Sequence, residues 1–139
     1  MSQDSEWQPI RSFKDIIAWQ KAHELTVLIY TATVKFPPTE QFGLTNQIRR
    51  ASVSIVSNIA EGFGRRTTID RTRFYDMARA SLHEVQAQLL IAKDVGFLPE
   101  AEYKNLENMT IVCHKLLTGL INKTKSLDSS LMSHNSEGK

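Results

Sequence analysis

Gln47-Ile-Arg-Arg-Ala-Ser-Val-Ser-Ile-Val-Ser-Asn-Ile-Ala-Glu-Gly-Phe-Gly-Arg-Arg66 decides the fold. Its apolar residues recur at spacings of three and four. With Leu44 placed ahead of them, Ile48, Ala51, Ile55, Ile59 and Gly62 line one face of a helix that starts after Gly43. The stretch carries a basic pair at Arg49–Arg50, turns at Gly62 and Gly64, and enters a second pair at Arg65–Arg66.

The same spacing governs the flanking segments. Ser12 with Asp15 reads as an N-terminal cap, and the first helix is expected to run to about Phe36, where Pro37–Pro38 stops it. Thr67 or Thr68 caps a third helix, whose core row is Phe74, Ala78, Ser81, Val85, Leu89 and Ala92 and whose end is Gly96. Pro99 suits the first position of a fourth, with Glu100 and Glu102 favourable in its first turn. Its apolar row is Leu106, Met109, Cys113, Leu116 and Leu120, and it is expected to fade near Leu127. No strand-type alternation competes. The expectation is all-α: an antiparallel up-down four-helix bundle over 13–126, with an N-terminal extension at 1–12 and a flexible polar tail at 127–139.

Composition agrees with one such domain. The 139 residues are 41% hydrophobic with only 6 Gly and 4 Pro, a balance unlike that of disordered or fibrous chains. Cys113 is the single cysteine, so a disulfide within the chain is excluded, and the thiol is expected to pack as a small apolar group. No apolar run reaches the roughly 20 residues of a membrane span, and the first residues lack a signal-peptide pattern, so the expected location is cytoplasmic with no membrane partner.

The net charge of +2 is unevenly divided. Residues 49–79 hold seven of the eight arginines, no lysine and three acids, while both flanking thirds are slightly acidic. Arginine's planar fork of donors suits phosphates and carboxylates better than lysine's point charge. Arg49, Arg50, Arg65, Arg66, Arg71, Arg73 and Arg79 are therefore candidates for an RNA or DNA backbone surface. The competing reading gives them to local ion pairs, such as Arg65 with Glu61 four residues earlier, or to contacts between subunits.

Other candidates are weaker. Gln47, Arg50, Ser54, Asn58 and Glu61 fall on one flank of the second helix and suit either a buried hydrogen-bond seam reaching Glu84 or Gln20, or a polar subunit contact. Glu61 and Glu84 lack a positioned nucleophile or electrophile, so no catalytic residue is assigned and the expectation is a non-enzyme. Gly62-Phe63-Gly64 follows a helix and lacks the Gly-Lys-Ser/Thr ending of a phosphate loop; it reads as a tight turn. His23, His83, His114 and His134 show no metal-ligand spacing, and no cofactor or metal is expected.

The first helix has apolar residues on two sides. Ala18, Ala22, Leu25, Leu28, Ile29 and Ala32 share one; Ile16, Trp19, Val27, Tyr30 and Val34 occupy much of the other. Val53 and Val56 point away from the core row of the second helix. A second apolar stripe usually means a second subunit, so Trp19, Val27, Tyr30, Val53 and Val56 are expected at a homo-oligomer interface.

Ile17-Ala-Trp-Gln-Lys-Ala22, Phe36-Pro37, Phe42-Gly-Leu44, Gln47-Ile-Arg-Arg-Ala51, Asn58-Ile-Ala-Glu-Gly-Phe-Gly-Arg65, Ser81-Leu-His-Glu84 and Leu90-Ile-Ala-Lys93, in this order, resemble the four-helix-bundle family linked to intervening sequences of 23S ribosomal RNA. The resemblance runs from about residue 13 to 120. It implies an antiparallel bundle assembling as a ring-like homopentamer, with no established catalytic residues. Some members are encoded inside insertions of large-subunit rRNA genes. The family is similar to accessory proteins of diversity-generating retroelements, basic pentamers that associate with a reverse transcriptase and nucleic acid. A reverse transcriptase or other nucleic-acid enzyme is thus an implied partner, although this chain is less basic than the retroelement type.

Overall fold

The computed structural model describes residues 9–137, with side chains through residue 128. Four helices make up the architecture: α1 (Ile17–Thr33), α2 (Leu44–Phe63), α3 (Thr68–Asp94) and α4 (Glu100–Glu137), and there is no strand among the described residues. Each helix packs on two others, α1 on α2 and α4, and α3 on α2 and α4, so the four form a closed ring of contacts around one core. Ala22, Leu25, Ile29, Ile48, Ile55, Ile59, Leu82, Val85, Cys113 and Leu117 fill its centre.

The Ser12–Asp15 cap forms, but on a different element. Ser12 Oγ accepts from the Lys14 amide at 3.2 Å, and Asp15 Oδ2 accepts from the Ser12 amide at 3.1 Å, closing only a 3-10 turn over Phe13–Asp15. Ile16 is extended and buried, which breaks the helix before α1 begins at Ile17. At the other end α1 stops at Thr33, three residues short of Phe36. Pro37 disfavours helical geometry at the residue before it, and the Phe36 amide closes a turn on Thr33 O instead.

Gly43 gives α2 no side-chain cap, and Glu40 supplies one by accepting from the Leu44 amide at 3.0 Å. Thr67 caps α3, its hydroxyl accepting from the Asp70 amide at 3.1 Å. Gly96 ends α3 as the spacing indicates: at φ 87° it lets Phe97 N–H reach Ala92 O and its own N–H reach Lys93 O. Pro99 stands one residue outside α4, where its carbonyl accepts from Tyr103. The helix α4 continues to Glu137, beyond the fade expected near Leu127, because neither glycine nor proline interrupts residues 120–137.

The buried rows differ in detail from the expected ones. Tyr75 is buried while its neighbour Phe74 stays partly exposed, and α4 buries Leu106, Thr110, Cys113, Leu117 and Ile121 while Met109, Leu116 and Leu120 flank that row. Gly62 is buried against Tyr75, and Ser54 meets Ser81 at 2.9 Å, so α2 and α3 are in contact along their lengths.

Candidate functional site

The seven arginines of residues 49–79 do not form one patch. Arg49 faces α1: its Nε donates to Thr33 Oγ1 at 2.8 Å, its Nη2 to Tyr30 O at 3.3 Å, and its guanidinium sits 4.7 Å from the Tyr30 ring centre. Arg79 faces α4, donating to Thr118 Oγ1 at 3.3 Å and pairing with Asp76 at 3.0 Å. Arg50 lies on the opposite flank of α2 from Arg49 and makes no hydrogen bond or ion pair among the described residues.

The other four converge where α2 hands over to α3. Arg65 pairs with Glu61 at 3.1 Å, as their four-residue spacing suggests, and lies 4.5 Å above the Phe74 ring. Arg73 pairs with Asp70 at 3.5 Å and shares the same ring at 5.6 Å. Arg71 donates to the Arg65 carbonyl at 2.7 Å, which braces the turn. Arg66 makes no ion pair among the described residues; with Arg71, Thr67 and Thr68 it borders a hollow of about 650 Å³ at the start of α3. The first amides of a helix carry partial positive charge, so this end combines guanidinium groups with a helix terminus that attracts anions.

The polar flank of α2 is partly a seam. Ser54 shares a hydrogen bond with Ser81, and Asn58 donates to Ser54 O at 2.9 Å and to Ser54 Oγ at 3.0 Å. Gln47, Arg50 and Ser54 then line a cleft of about 500 Å³ with Glu84 and Gln88 of α3, and with the exposed Phe42 and Asn46. Gln20 does not join the seam; its amide donates to Lys14 O at 2.8 Å. Gln88 escaped the sequence reading, and Phe42 entered it only through the family resemblance and not as a site residue. Gln88 could have been found, because it stands in the buried row of Ser81, Val85 and Ala92 where an apolar residue would be expected.

The expected interface residues divide in two. Val27, Tyr30 and Val53 are 53%, 41% and 38% exposed. Trp19 and Val56 are partly covered within the chain, Trp19 by Phe13 at 5.0 Å edge-on and by His23 at 4.9 Å stacked. Ile16 belongs to the core, while Leu28 is exposed, the reverse of their expected sides.

Two titratable environments stand out. Burial, with Glu24 nearby, pushes the Cys113 thiol up to about 12, so it stays protonated and unreactive at neutral pH. His83 and His114 stack at 5.3 Å between α3 and α4; burial first, then the charges of His83 and Arg79, lowers the His114 pKa. No helix among the described residues is long and apolar enough to cross a membrane.

The family model described as 23S rRNA-intervening sequence protein matches residues 14–119. No curated protein matches the chain. Among solved structures, the chain is similar to a protein of unknown function from the S23 ribosomal protein family of Bacteroides thetaiotaomicron. The TM-score is 0.68 at 23% identity, over 76% of this chain and 98% of that one. At that identity the likeness speaks for the fold, and the family match for the lineage: the chain belongs to the 23S rRNA-intervening sequence protein family.

Proposed function

We propose that this protein is a non-enzymatic, self-associating helical bundle that binds the RNA or DNA backbone and assists a nucleic-acid-processing partner such as a reverse transcriptase. The carrying observation is the convergence of Arg65, Arg66, Arg71 and Arg73 on the start of α3. Among the described residues only Glu61 and Asp70 oppose them in ion pairs, Asp128 bordering the hollow unpaired, and both pairs are exposed, so a phosphate can compete for the same guanidinium groups. The short links at 64–67 and 95–99 favour an antiparallel up-down arrangement, and the family resemblance favours a homopentamer, which would repeat the basic end around a ring. A cytoplasmic setting fits this role.

Binding to single-stranded RNA and DNA measured across a salt series tests the reading. Affinity should fall linearly in log–log form with salt, and the slope should shrink when Arg65, Arg66, Arg71 and Arg73 are changed to alanine. Affinity indifferent to both would overturn it.

A second reading, a protein-interaction scaffold whose arginines serve structure and subunit contacts, is favoured by Arg49 and Arg79, which spend their donors within the chain. It predicts that charge reversal at Arg49 or Arg50 splits the oligomer and leaves nucleic-acid binding untouched.

A further inference from the structure

We infer that the cleft between α2 and α3 is a pocket for an unpaired guanine base, an inference that rests on the nucleic-acid reading above and adds to it a base-reading site. Gln88 is 9% exposed, lines the cleft, and its Oε1 is buried without a hydrogen-bond partner among the described residues. An unmet buried acceptor is costly, and the soft terminal torsion of a glutamine side chain lets the oxygen turn toward a donor that enters. Glu84, one helical turn before it, and Arg50, across the cleft on α2, also line the walls; neither pairs with the other or with any described residue. Phe42 lines the cleft too, with 87% of its surface exposed, and is absent from the core cluster.

The chemistry of these groups suits one base. Guanine presents two adjacent donors, N1–H and N2–H₂, which a carboxylate accepts side by side, leaving the second N2 hydrogen for the Gln88 oxygen. Its O6 and N7 are acceptors, the pair that an arginine fork reads most often. An exposed aromatic lining the cleft provides the stacking surface that unstacked bases use. Adenine turns a lone pair where guanine has N1–H and so faces the Glu84 carboxylate unfavourably. Uracil offers one ring donor flanked by two carbonyl oxygens. The cleft at Ser54 is about 15 Å along α2 from the arginine end at Gly64, at 1.5 Å per residue, so one short strand can lie on both.

Calorimetry with guanosine and adenosine 5′-monophosphates, and with uridine oligonucleotides carrying one central guanine, adenine or inosine, tests the pocket. Guanosine monophosphate should bind at least tenfold tighter than adenosine monophosphate. Inosine, lacking the N2 amine, should fall between. Glu84→Gln should bring guanine and adenine within about twofold of each other, and Phe42→Ala should weaken guanine-containing ligands about tenfold. Both positions are exposed, so neither variant endangers the fold; Glu84→Gln should leave binding of the all-uridine strand unchanged, whereas Phe42→Ala should weaken that strand as well, because an aromatic face stacks on any base. Equal affinity for the two nucleotides overturns the pocket, as does a guanine preference that survives both substitutions, or a cleft that prefers an arginine-bearing peptide. If guanosine monophosphate binds and the all-uridine strand does not, the arginine-surface reading fails while the pocket stands; the converse result removes the pocket alone.

Discussion

Gly62 lies so close to the Tyr75 ring that a β-carbon on it would stand 2.6 Å from Tyr75 Cε1. Phe74 Cβ closes the other side at 3.1 Å. The absent side chain is what allows α2 and α3 to approach just before the turn that gathers the arginines. Gly64, two residues on, is different: a β-carbon there would meet nothing nearer than a backbone oxygen at 3.5 Å, and its φ of −78° suits any residue.

Gly62→Ala is therefore expected to destabilise the fold by about 1–3 kcal/mol through overpacking, since a buried aromatic ring must move. Gly64→Ala should stay within about 0.5 kcal/mol of the parent. Urea unfolding followed by helical circular dichroism distinguishes the two. Equal effects would mean that the Tyr75 ring yields freely and that the close approach does not matter.

Arg49 and Arg50 are neighbours with opposite duties. Arg49 binds a side-chain hydroxyl and a carbonyl of the last turn of α1 and covers the Tyr30 ring, so Arg49→Ala should cost about 1–2 kcal/mol. Arg50→Ala, which removes no described contact, should change stability by less than about 0.5 kcal/mol. Thermal melts of both variants check this, and a larger loss at Arg50 would mean that its cleft is a structural seam.

Much of this arrangement was legible from residue type and spacing. Gly96 had to end α3 because the chain there needs a left-handed residue, and the row of Ile48, Ala51, Ile55 and Ile59 had to face the core. Failures came where a polar residue entered a buried row. Thr110 satisfies its hydroxyl on Glu107 O at 2.6 Å and so can be fully buried, which turns Leu117 and Ile121 inward in place of Leu116 and Leu120. Likewise Ser12 and Asp15 signal a cap truthfully, but a cap motif does not say how many turns follow it. The site was harder to see than the fold: arginines adjacent in sequence diverge around a helix, and the unmet oxygen of Gln88 exists only once α2 has closed over α3.

The His83–His114 stack makes stability depend on acid. An unfolded His114 titrates near its ordinary 6.5, and the folded one lower, because burial and then the charges of His83 and Arg79 oppose its protonation. Below about pH 6.5 the unfolded chain binds more protons than the folded one, so stability falls as the pH drops and the loss is complete below the folded value. His114→Gln should flatten the unfolding midpoint between pH 7 and pH 5, with the parent losing stability over that window. An identical slope in both would show that carboxylates alone set the acid limb.

The exposed apolar face across α1 and α2 leads to the last prediction. Val27 and Tyr30 share one stripe of α1, exposed Val34 follows them at its C-terminal cap, and Val53 continues the stripe on α2 beyond Arg49, which stacks on Tyr30. The two helices beneath are tied together there, Thr26 Oγ1 donating to Ser52 O at 3.1 Å. A carboxylate forced into a dry subunit contact costs far more than the same group on a wet surface. Val27→Glu with Val53→Glu should therefore leave helix content and melting cooperativity intact while weakening association at least tenfold, ~1.4 kcal/mol. Sedimentation at micromolar concentration should move the mass toward the 15.8 kDa of one chain. A parent protein already at that mass would refute self-association outright. An unchanged assembly in the double variant would move the contact to another face of the bundle.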